Sequence, residues 1–307
     1  MNTLEYRSCK VATKLRDRPL RFPICVPTYS RPENGMTRLW EKYPELPVVF
    51  FVREEQKKLY KPLADKGAHI VYLKGVKCIG ATRRAICEWA VKHGCTDIFL
   101  FDDRVLRVSL LAPRLSRTGR VNMGTVPELN TTPDALRLWE YLIWKYKPVI
   151  SGCAHSGYTW DPSNVGILPK QYGVDCQIAI HLSVKRLAKA GIAYKDVEVC
   201  GSEDAQINFD VLEAGLPYMV FGDLEYNSIP SQDGKGGIAA VENNSRIERF
   251  EIYCDRFMKN ICGEGHPGVH IRKDKTGVPY IRFKWKYWRE RNGVKTSEPS
   301  FGKYQGM

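Results

Sequence analysis

Short apolar runs alternate with amphipathic stretches along most of this chain. Between residue 22 and about residue 225, apolar runs are followed by segments whose apolar residues recur at helical spacing. This alternation is typical of an α/β fold in which helices flank a mostly parallel sheet. The predicted strands are 22–27, 47–52, 69–73, 97–101, 149–153, 176–181 and 218–221, and the predicted helices are 54–63, 80–92, 133–146, 183–190, 203–214 and 246–260.

The stretch from 104 to 135 interrupts this alternation. It is rich in Arg, Pro, Gly, Ser and Thr and has no clear period, which predicts a long loop with a functional role. Arginines in such a loop can contact phosphates, although a solvated surface loop would carry the same residues. The arginines concerned are Arg107, Arg114, Arg117 and Arg120.

The end of the chain has a different period. Basic and apolar residues alternate from Tyr280 to Tyr287, which would place Arg282, Lys284 and Lys286 on one face of a strand. A turn before this segment indicates a small β-hairpin or three-stranded sheet with one basic face. Its aromatic residues would then pack on the main domain, and the basic face would be free to contact a nucleic acid backbone.

The positive charge of the chain is concentrated at its two ends. The formal net charge is +13, and residues 1–22 hold six Lys or Arg against two acids, while residues 270–307 hold ten against three. A localised excess of this kind favours a polyanionic partner, although it also serves solubility. We therefore divide the chain into a basic segment over 1–21, a main domain over 22–267 and a basic appendage over 268–307.

Composition points to a soluble protein of the cytoplasm. No run of about 18 apolar residues is present, so we expect no membrane span. The first 21 residues lack the apolar centre of a signal peptide. The ten cysteines include no C-x-x-C pair, which is typical of reduced thiols in the cytosol. Oligomeric state is left open by the sequence.

Polar residues cluster at four predicted strand or helix ends. They occupy residues 27–31, 80–84, 102–104 and 203–204. Open α/β sheets bind ligands at the carboxyl ends of their strands, so these clusters are candidates for one shared cleft. Each is weak evidence alone, because an acidic pair at a helix N-terminus also compensates the helix dipole. Their order along the chain is the stronger signal.

In that order the segments resemble GT-A glycosyltransferases. The quoted segments are ICVPTYSRP, IGATRRAICEWA, DIFLFDDR and GSEDAQINFDVLEAGLPYMVF. With GGIAAVENNSRIERF, they are more narrowly similar to the TET-associated glycosyltransferases, largely phage enzymes that glycosylate 5-hydroxymethylpyrimidines in DNA. The resemblance covers roughly residues 20–270 and implies a GT-A-like, Rossmann-like fold.

The resemblance implies a UDP-sugar donor and assigns residues to it. The diphosphate leaving group develops negative charge, which guanidinium groups or a divalent cation can neutralise. It also implies a Mn²⁺ or Mg²⁺ ion held by Asp102, Asp103 and His266. Arg104 stands where the family usually has a third acid, so metal dependence is in doubt, and Arg104 can itself supply part of the cation's charge. The implied donor-binding residues are Pro27, Thr28, Tyr29, Arg31, Gly80, Arg83, Arg84, Asp102 and Arg104.

The acidic pair at 203–204 is the implied catalytic base. An acceptor hydroxyl must lose its proton as it attacks the anomeric carbon, and Asp204 would accept that proton in a direct, inverting displacement. Glu203 would be its hydrogen-bonding neighbour, and the reverse assignment stays open.

The acceptor implied by the resemblance is DNA containing 5-hydroxymethylcytosine or 5-hydroxymethyluracil. A base glycosylated in a duplex must present its hydroxymethyl group in the major groove or be flipped onto aromatic rings. His155, Tyr158 and Trp160 would suit that pocket, and the nucleic acid contacts would come from Arg282, Lys284, Lys286, Arg289 and Arg291. Two alternatives remain: transfer to a glycan or another small hydroxyl acceptor, and an inactive nucleic-acid-binding module on the same scaffold.

Overall fold

A computed structural model describes most of the chain. The described residues are 7–33, 36–115, 121–126, 131–155, 166–167, 178–196, 203–229 and 246–293. Over this part of the chain, no helix has the length and apolar character needed to cross a bilayer.

A mixed sheet of ten strands forms the centre of the described structure. Its strand order is β3-β2-β1-β4-β9-β7-β10-β5-β6, and β8 pairs with β10. Strands β1 to β4, β7 and β10 run in one direction, and β9 lies antiparallel between β4 and β7. The strands are β1 (Ile24–Thr28), β2 (Val48–Arg53), β3 (His69–Leu73), β4 (Ile98–Phe101), β5 (Val105–Leu115), β6 (Val121–Thr125), β7 (Ile150–His155), β8 (Gly166–Ile167), β9 (Ala179–Leu182) and β10 (Tyr218–Ser228).

Helices cover both faces of the sheet. A separate hairpin of β11 (Val269–Lys273) and β12 (Pro279–Phe283) follows the last long helix. The helices are α1 (Arg7–Leu15), α2 (Met36–Lys42), α3 (Lys57–Asp65), α4 (Ile79–Lys92), α5 (Thr132–Tyr146), α6 (Val184–Lys189), α7 (Glu203–Glu213), α8 (Arg246–Phe257) and α9 (Trp285–Arg291).

Period-two alternation in the strands divides the core into two layers. Phe50 on β2 and Phe99 on β4 face the layer that contains α1, α3 and α5. Phe51 and Leu100, one residue further along each strand, face the layer that contains α4, α7 and the hairpin. Successive strand side chains point to opposite faces, so a strand covered on both sides must be apolar throughout. The predicted α/β sheet flanked by helices is confirmed.

The prediction of a long loop over residues 104–135 is wrong. Residues 105–115 and 121–125 form the pair β5 and β6, and β5 also lies antiparallel to β10. Leu110 and Ala112 are fully buried, although Arg107 and Pro113 break the apolar run. Residues 116–120, with Arg117 and Arg120, lie outside the described structure.

The strand predicted over residues 280–287 is only partly correct. Strand β12 ends at Phe283, Lys284 immediately precedes α9, and Lys286 does not continue the basic face because the chain turns into α9. Trp285 and Trp288 are both buried, and their spacing of three residues places them on one side of a helix. The indole of Trp288 donates to the carbonyl oxygen of Gly268 at 2.9 Å.

A buried series of hydrogen bonds links the central strands β4, β9 and β7 to α5. The indole N–H of Trp139 donates to Ser151 Oγ at 3.0 Å, and Ser151 Oγ lies 3.2 Å from His181 Nδ1. His181 Nε2 lies 2.9 Å from Asp97 Oδ1. Ionised Asp97 can only accept, so the Nε2 proton of neutral His181 points to it, and Nδ1 then accepts from the Ser151 hydroxyl. Burial lowers the pKa of His181, against the opposing effect of Asp97.

The burial of His181 in this hydrogen-bonded series predicts that the protein loses stability in acid. The unfolded state takes up a proton near the ordinary histidine pKa of about 6.5, and the folded state does so only at lower pH. The free energy of unfolding therefore falls as the pH drops below about 6.5. In His181→Gln, urea unfolding across pH 5–8 should show a weaker pH dependence than in the wild type. The same change at exposed His69 should leave the pH dependence as it was.

Candidate active site

The predicted polar clusters meet at one edge of the sheet. Strands β1 and β4 are parallel neighbours, so Thr28 at the end of β1 lies close to Asp102 and Asp103, which follow β4. The N-terminal turns of α4 and α7 point to the same place, since Arg83 on α4 contacts Asp204 on α7. Four segments far apart in sequence therefore share one cluster of acids and guanidinium groups.

Asp103 joins the end of β4 to the loop after β1. Its carboxylate accepts from the Thr28 hydroxyl at 2.9 Å and from Arg31 Nη1 at 3.3 Å. Burial, reinforced by the charge of Asp102, raises the pKa of Asp103 to about 6, although Arg31 and Thr28 oppose the shift. Ionised Asp103 is therefore held at neutral pH at a cost in stability, which suits a site that needs its charge.

Two residues that the sequence analysis missed hold the loop after β1. The Tyr60 hydroxyl lies 2.7 Å from Thr28 Oγ1 and accepts from the Arg31 backbone N–H at 3.0 Å. The Gln56 amide bonds both the backbone N–H and the hydroxyl of Ser30, which has a left-handed φ of 56°. A non-glycine residue in that conformation persists where its surroundings over-determine it. Gln56 and Tyr60 both lie in the helical segment after β2, where the sequence has no motif that would have indicated them.

Arg83 lies at the centre of the second half of the site. Its Nη2 donates to Asp102 Oδ1 at 2.9 Å, and its Nη1 donates to Asp204 Oδ1. The same Nη2 lies 3.8 Å from Glu203 Oε1. One guanidinium group therefore faces three carboxylates, contributed by the end of β4 and by the first turn of α7.

Arg83 is a buried charge held by its partners. Its side chain is only 3% exposed, and its guanidinium carbon lies 5.7 Å from the centre of the Tyr194 ring. Burial alone would lower the pKa of Arg83, but the charges of Glu203 and Asp102 outweigh it and raise the pKa above its ordinary value. Arg104 adds a second cation, with Nη2 at 3.5 Å from Asp102 Oδ2.

Arg84 and Gly80 were predicted to bind the donor, but the structure gives them other contacts. Arg84 points away from the cluster and donates to Asp196 at 2.7 Å on the surface. A Cβ atom at Gly80 would lie 2.3 Å from the carbonyl oxygen of Lys195, so glycine is required for this backbone approach. Pro27 is buried within β1, and the ring of Tyr29 lies under the Arg53 guanidinium at 4.5 Å.

Exposure separates the two acids at the start of α7. The Asp204 side chain is 20% exposed, whereas that of Glu203 is 4% exposed. A base must be within hydrogen-bonding reach of an incoming hydroxyl, which favours Asp204. Both acids also compensate the dipole of α7, so part of their role is structural.

The described residues do not form the predicted metal site. The Asp102 oxygens face Arg83 and Arg104, and the Asp103 oxygens face Thr28 and Arg31. Within the described ranges, no group of three His, Cys, Asp or Glu side chains could hold a metal ion. His266 is not near these acids, because it bonds Glu213 at the far end of α7, ten residues from Glu203 and about 15 Å along the helix.

The predicted acceptor pocket falls largely outside the described residues. Tyr158 and Trp160 are not described, and His155 is described only as the last residue of β7, opposite Tyr226. Arg114 is described only as part of β5. The acceptor assignments stay predictions.

The C-terminal hairpin has a basic face, but its members differ from those predicted. His270 pairs with Arg282 across the hairpin, and Arg272 follows on the same side two residues along β11. Burial and the charges of Arg272, Lys284 and Arg282 lower the pKa of His270. Exposed Lys286 and half-buried Arg289 lie on α9, and Arg291 is bound at both oxygens of Glu213. We call His270, Arg272, Arg282 and Lys284 the basic hairpin face.

Comparison with known proteins yields distant structural likenesses. No protein-family model matches the chain, and no curated protein sequence does. The crystal structure of S. aureus TarS 1–349 in complex with UDP-GlcNAc aligns with a TM-score of 0.48 at 13% identity, over 80% of this chain and 68% of that one. The same fragment in complex with UDP gives 0.44 at 12%, over 78% and 72%. The 4-diphosphocytidyl-2C-methyl-D-erythritol synthase of Anaerococcus prevotii gives 0.38 at 12%, over 76% and 96%. Likeness at this level assigns no substrate to the chain.

The hydrogen bonds of the Tyr60 hydroxyl to Thr28 and Arg31 predict that removing this hydroxyl lowers stability. We call these two bonds the clamp. Tyr60→Phe takes away the acceptor of the part-buried Arg31 N–H and the donor to buried Thr28 Oγ1, whose own proton goes to Asp103. Leaving buried polar groups unsatisfied costs about 1–3 kcal/mol each. We expect a lower free energy of unfolding in urea for Tyr60→Phe. Tyr72→Phe, on neighbouring β3, serves as the matched control, and an equal loss there would contradict the clamp.

Proposed function

We propose that this protein is a nucleotide-sugar-dependent glycosyltransferase whose donor is a UDP-sugar. The observation that carries the proposal is that one buried guanidinium, Arg83, bonds both Asp102 and Asp204. A cation beside the donor and a carboxylate base beside the acceptor are the two groups that sugar transfer from a diphosphate requires. The segments that resemble GT-A enzymes are those that meet here.

Guanidinium groups fixed by the site's carboxylates would stabilise the leaving diphosphate. Arg83 and Arg104 both lie against Asp102, and Arg31 lies against Asp103. Arginine matches phosphate oxygens with two parallel donors, and the charge is present before the reaction begins. The ring of Tyr29 and the end of β1 would receive the uridine.

Asp204 is the proposed base for the acceptor hydroxyl. The acceptor oxygen forms its bond to the anomeric carbon as the bond from that carbon to the phosphate oxygen breaks, and the electron pair leaves on the UDP. The acceptor proton passes to Asp204. A single displacement of this kind inverts the configuration of the sugar.

DNA with hydroxymethylated pyrimidines is the proposed acceptor. Support comes from the basic hairpin face and from the resemblance of the sequence to enzymes that use such DNA. The basic face is outward because its alternate residues, Val269, Ile281 and Phe283, are buried in the core. Arg272 is exposed and Arg282 and Lys284 are half-buried. Cations on a rigid hairpin would bind phosphates without reading sequence.

A direct assay tests donor and acceptor together. The protein is incubated with DNA containing 5-hydroxymethylcytosine or 5-hydroxymethyluracil and with a panel of nucleotide sugars, and the nucleosides are analysed by mass spectrometry. Asp204→Asn should lower transfer at least 100-fold, since general base catalysis contributes about 10²–10⁴. It should not weaken UDP binding. Full activity of this variant would remove Asp204 from the base role, and transfer to free sugars alone would replace DNA as the acceptor.

The basic hairpin face predicts a salt-dependent loss of DNA binding. Arg272→Gln with Lys284→Gln removes two cations from this face. The slope of log K against log salt should become shallower by about 1–2, since each phosphate contact contributes about 0.9. The matched control is Lys58→Gln with Lys61→Gln, two exposed lysines of α3 in the other layer. Equal effects of the two pairs would show that net charge, rather than this face, determines binding.

A further inference from the structure

One side chain bonds two carboxylates that the proposed reaction uses at different points. Asp102 follows β4 on the donor side of the site, and Asp204 opens α7 on the acceptor side. Arg83 donates to the first through Nη2 and to the second through Nη1. The base and the donor site therefore compete for the same guanidinium group.

A carboxylate that accepts a charge-assisted hydrogen bond from arginine is a weak base. The guanidinium stabilises the ionised form and occupies one oxygen of the carboxylate. In the arrangement that the structure shows, Asp204 is held in this way. It becomes a stronger base when that contact is lost.

Arg83 cannot leave Asp204 for water, because its side chain is 3% exposed. An unpaired buried charge is costly, so a new anion has to replace the carboxylate. A diphosphate suits this exchange, since it offers more charge and more acceptor oxygens than one carboxylate, in a geometry that arginine bonds in pairs. Arg83 and Arg104 together face three carboxylates. Because the acids outnumber the guanidinium groups, the charges of the site alone give Arg83 no reason to leave Asp204.

We propose that the donor diphosphate takes Arg83 from Asp204, so that the base is released only when the leaving group is in place. This inference rests on the proposed function and adds an order to it: the nucleotide sugar binds before the acceptor is deprotonated. The acceptor proton then moves to the freed Asp204 carboxylate, and the phosphate oxygen that keeps the electron pair of the broken bond faces Arg83. Arg83 thus links the two ends of the displacement.

UDP affinity measured by titration calorimetry tests the exchange without an acceptor. In Asp204→Asn, a neutral amide oxygen holds Arg83 more weakly than the carboxylate does. We expect UDP to bind about tenfold more tightly, which corresponds to about 1.4 kcal/mol. Uridine, which lacks the diphosphate, should bind this variant and the wild type equally.

Glu203→Gln provides the matched control. It removes the same unit of negative charge beside Arg83, but the Glu203 oxygen lies 3.8 Å from Nη2, beyond hydrogen-bonding distance. UDP affinity should therefore rise less than threefold. Equal gains in the two variants would mean simple charge repulsion and would overturn the exchange, as would weaker UDP binding by Asp204→Asn. If the wild type binds no UDP, the proposed function fails as well, and that result is distinct from the other two.

Discussion

The structure of the site depends on a buried guanidinium surrounded by carboxylates. Arg83 bonds Asp102 and Asp204 and lies near Glu203, with almost no contact with solvent. Removing one partner of a buried ion pair costs about 3–5 kcal/mol because the remaining charge is left uncompensated. The end of β4 and the first turns of α4 and α7 are therefore held together by electrostatics, and not only by apolar packing.

The other half of the site has the character of a functional centre rather than a stabilising one. Burial raises the pKa of Asp103 to about 6, so its ionised form at neutral pH opposes folding. Ser30 adopts a left-handed conformation that Gln56 holds in place. Strain and buried charge of this kind are retained where a precise arrangement of polar groups is needed. The apolar layers on both sides of the sheet provide the stability that offsets them.

The C-terminal hairpin connects a candidate binding surface to the helix that carries the acids. Its inner residues belong to the core, so it is packed on the main domain through the layer that contains α7. Glu213, at the end of α7, bonds both Arg291 of α9 and His266. The ring of His266 stacks on Trp288 at 5.5 Å. A polyanion on the basic hairpin face would therefore lie on a surface that is rigidly joined to the helix of Asp204.

The sequence by itself determined the class of fold and most of the elements of the sheet. Apolar runs with period-two packing on both faces are readable because they must be buried wherever they lie, as in β1, β2 and β4. It also indicated the four polar clusters, since acids and arginines at strand ends are unusual in a core. Local pattern failed where a partner distant in sequence decided the structure. Strand β5 forms because β10 and β6 pair with it, despite Arg107 and Pro113.

Only the tertiary structure decided which of two adjacent residues belongs to the site. Arg83 and Arg84 are equivalent in composition, but the direction of α4 turns the first towards Asp102 and the second towards Asp196. In the same way, α9 takes Lys286 off the strand face because Trp285 and Trp288 need a helical spacing to be buried. Residue type states which chemistry is possible, whereas the orientation of each element, set by long-range packing, selects the side chains that carry it.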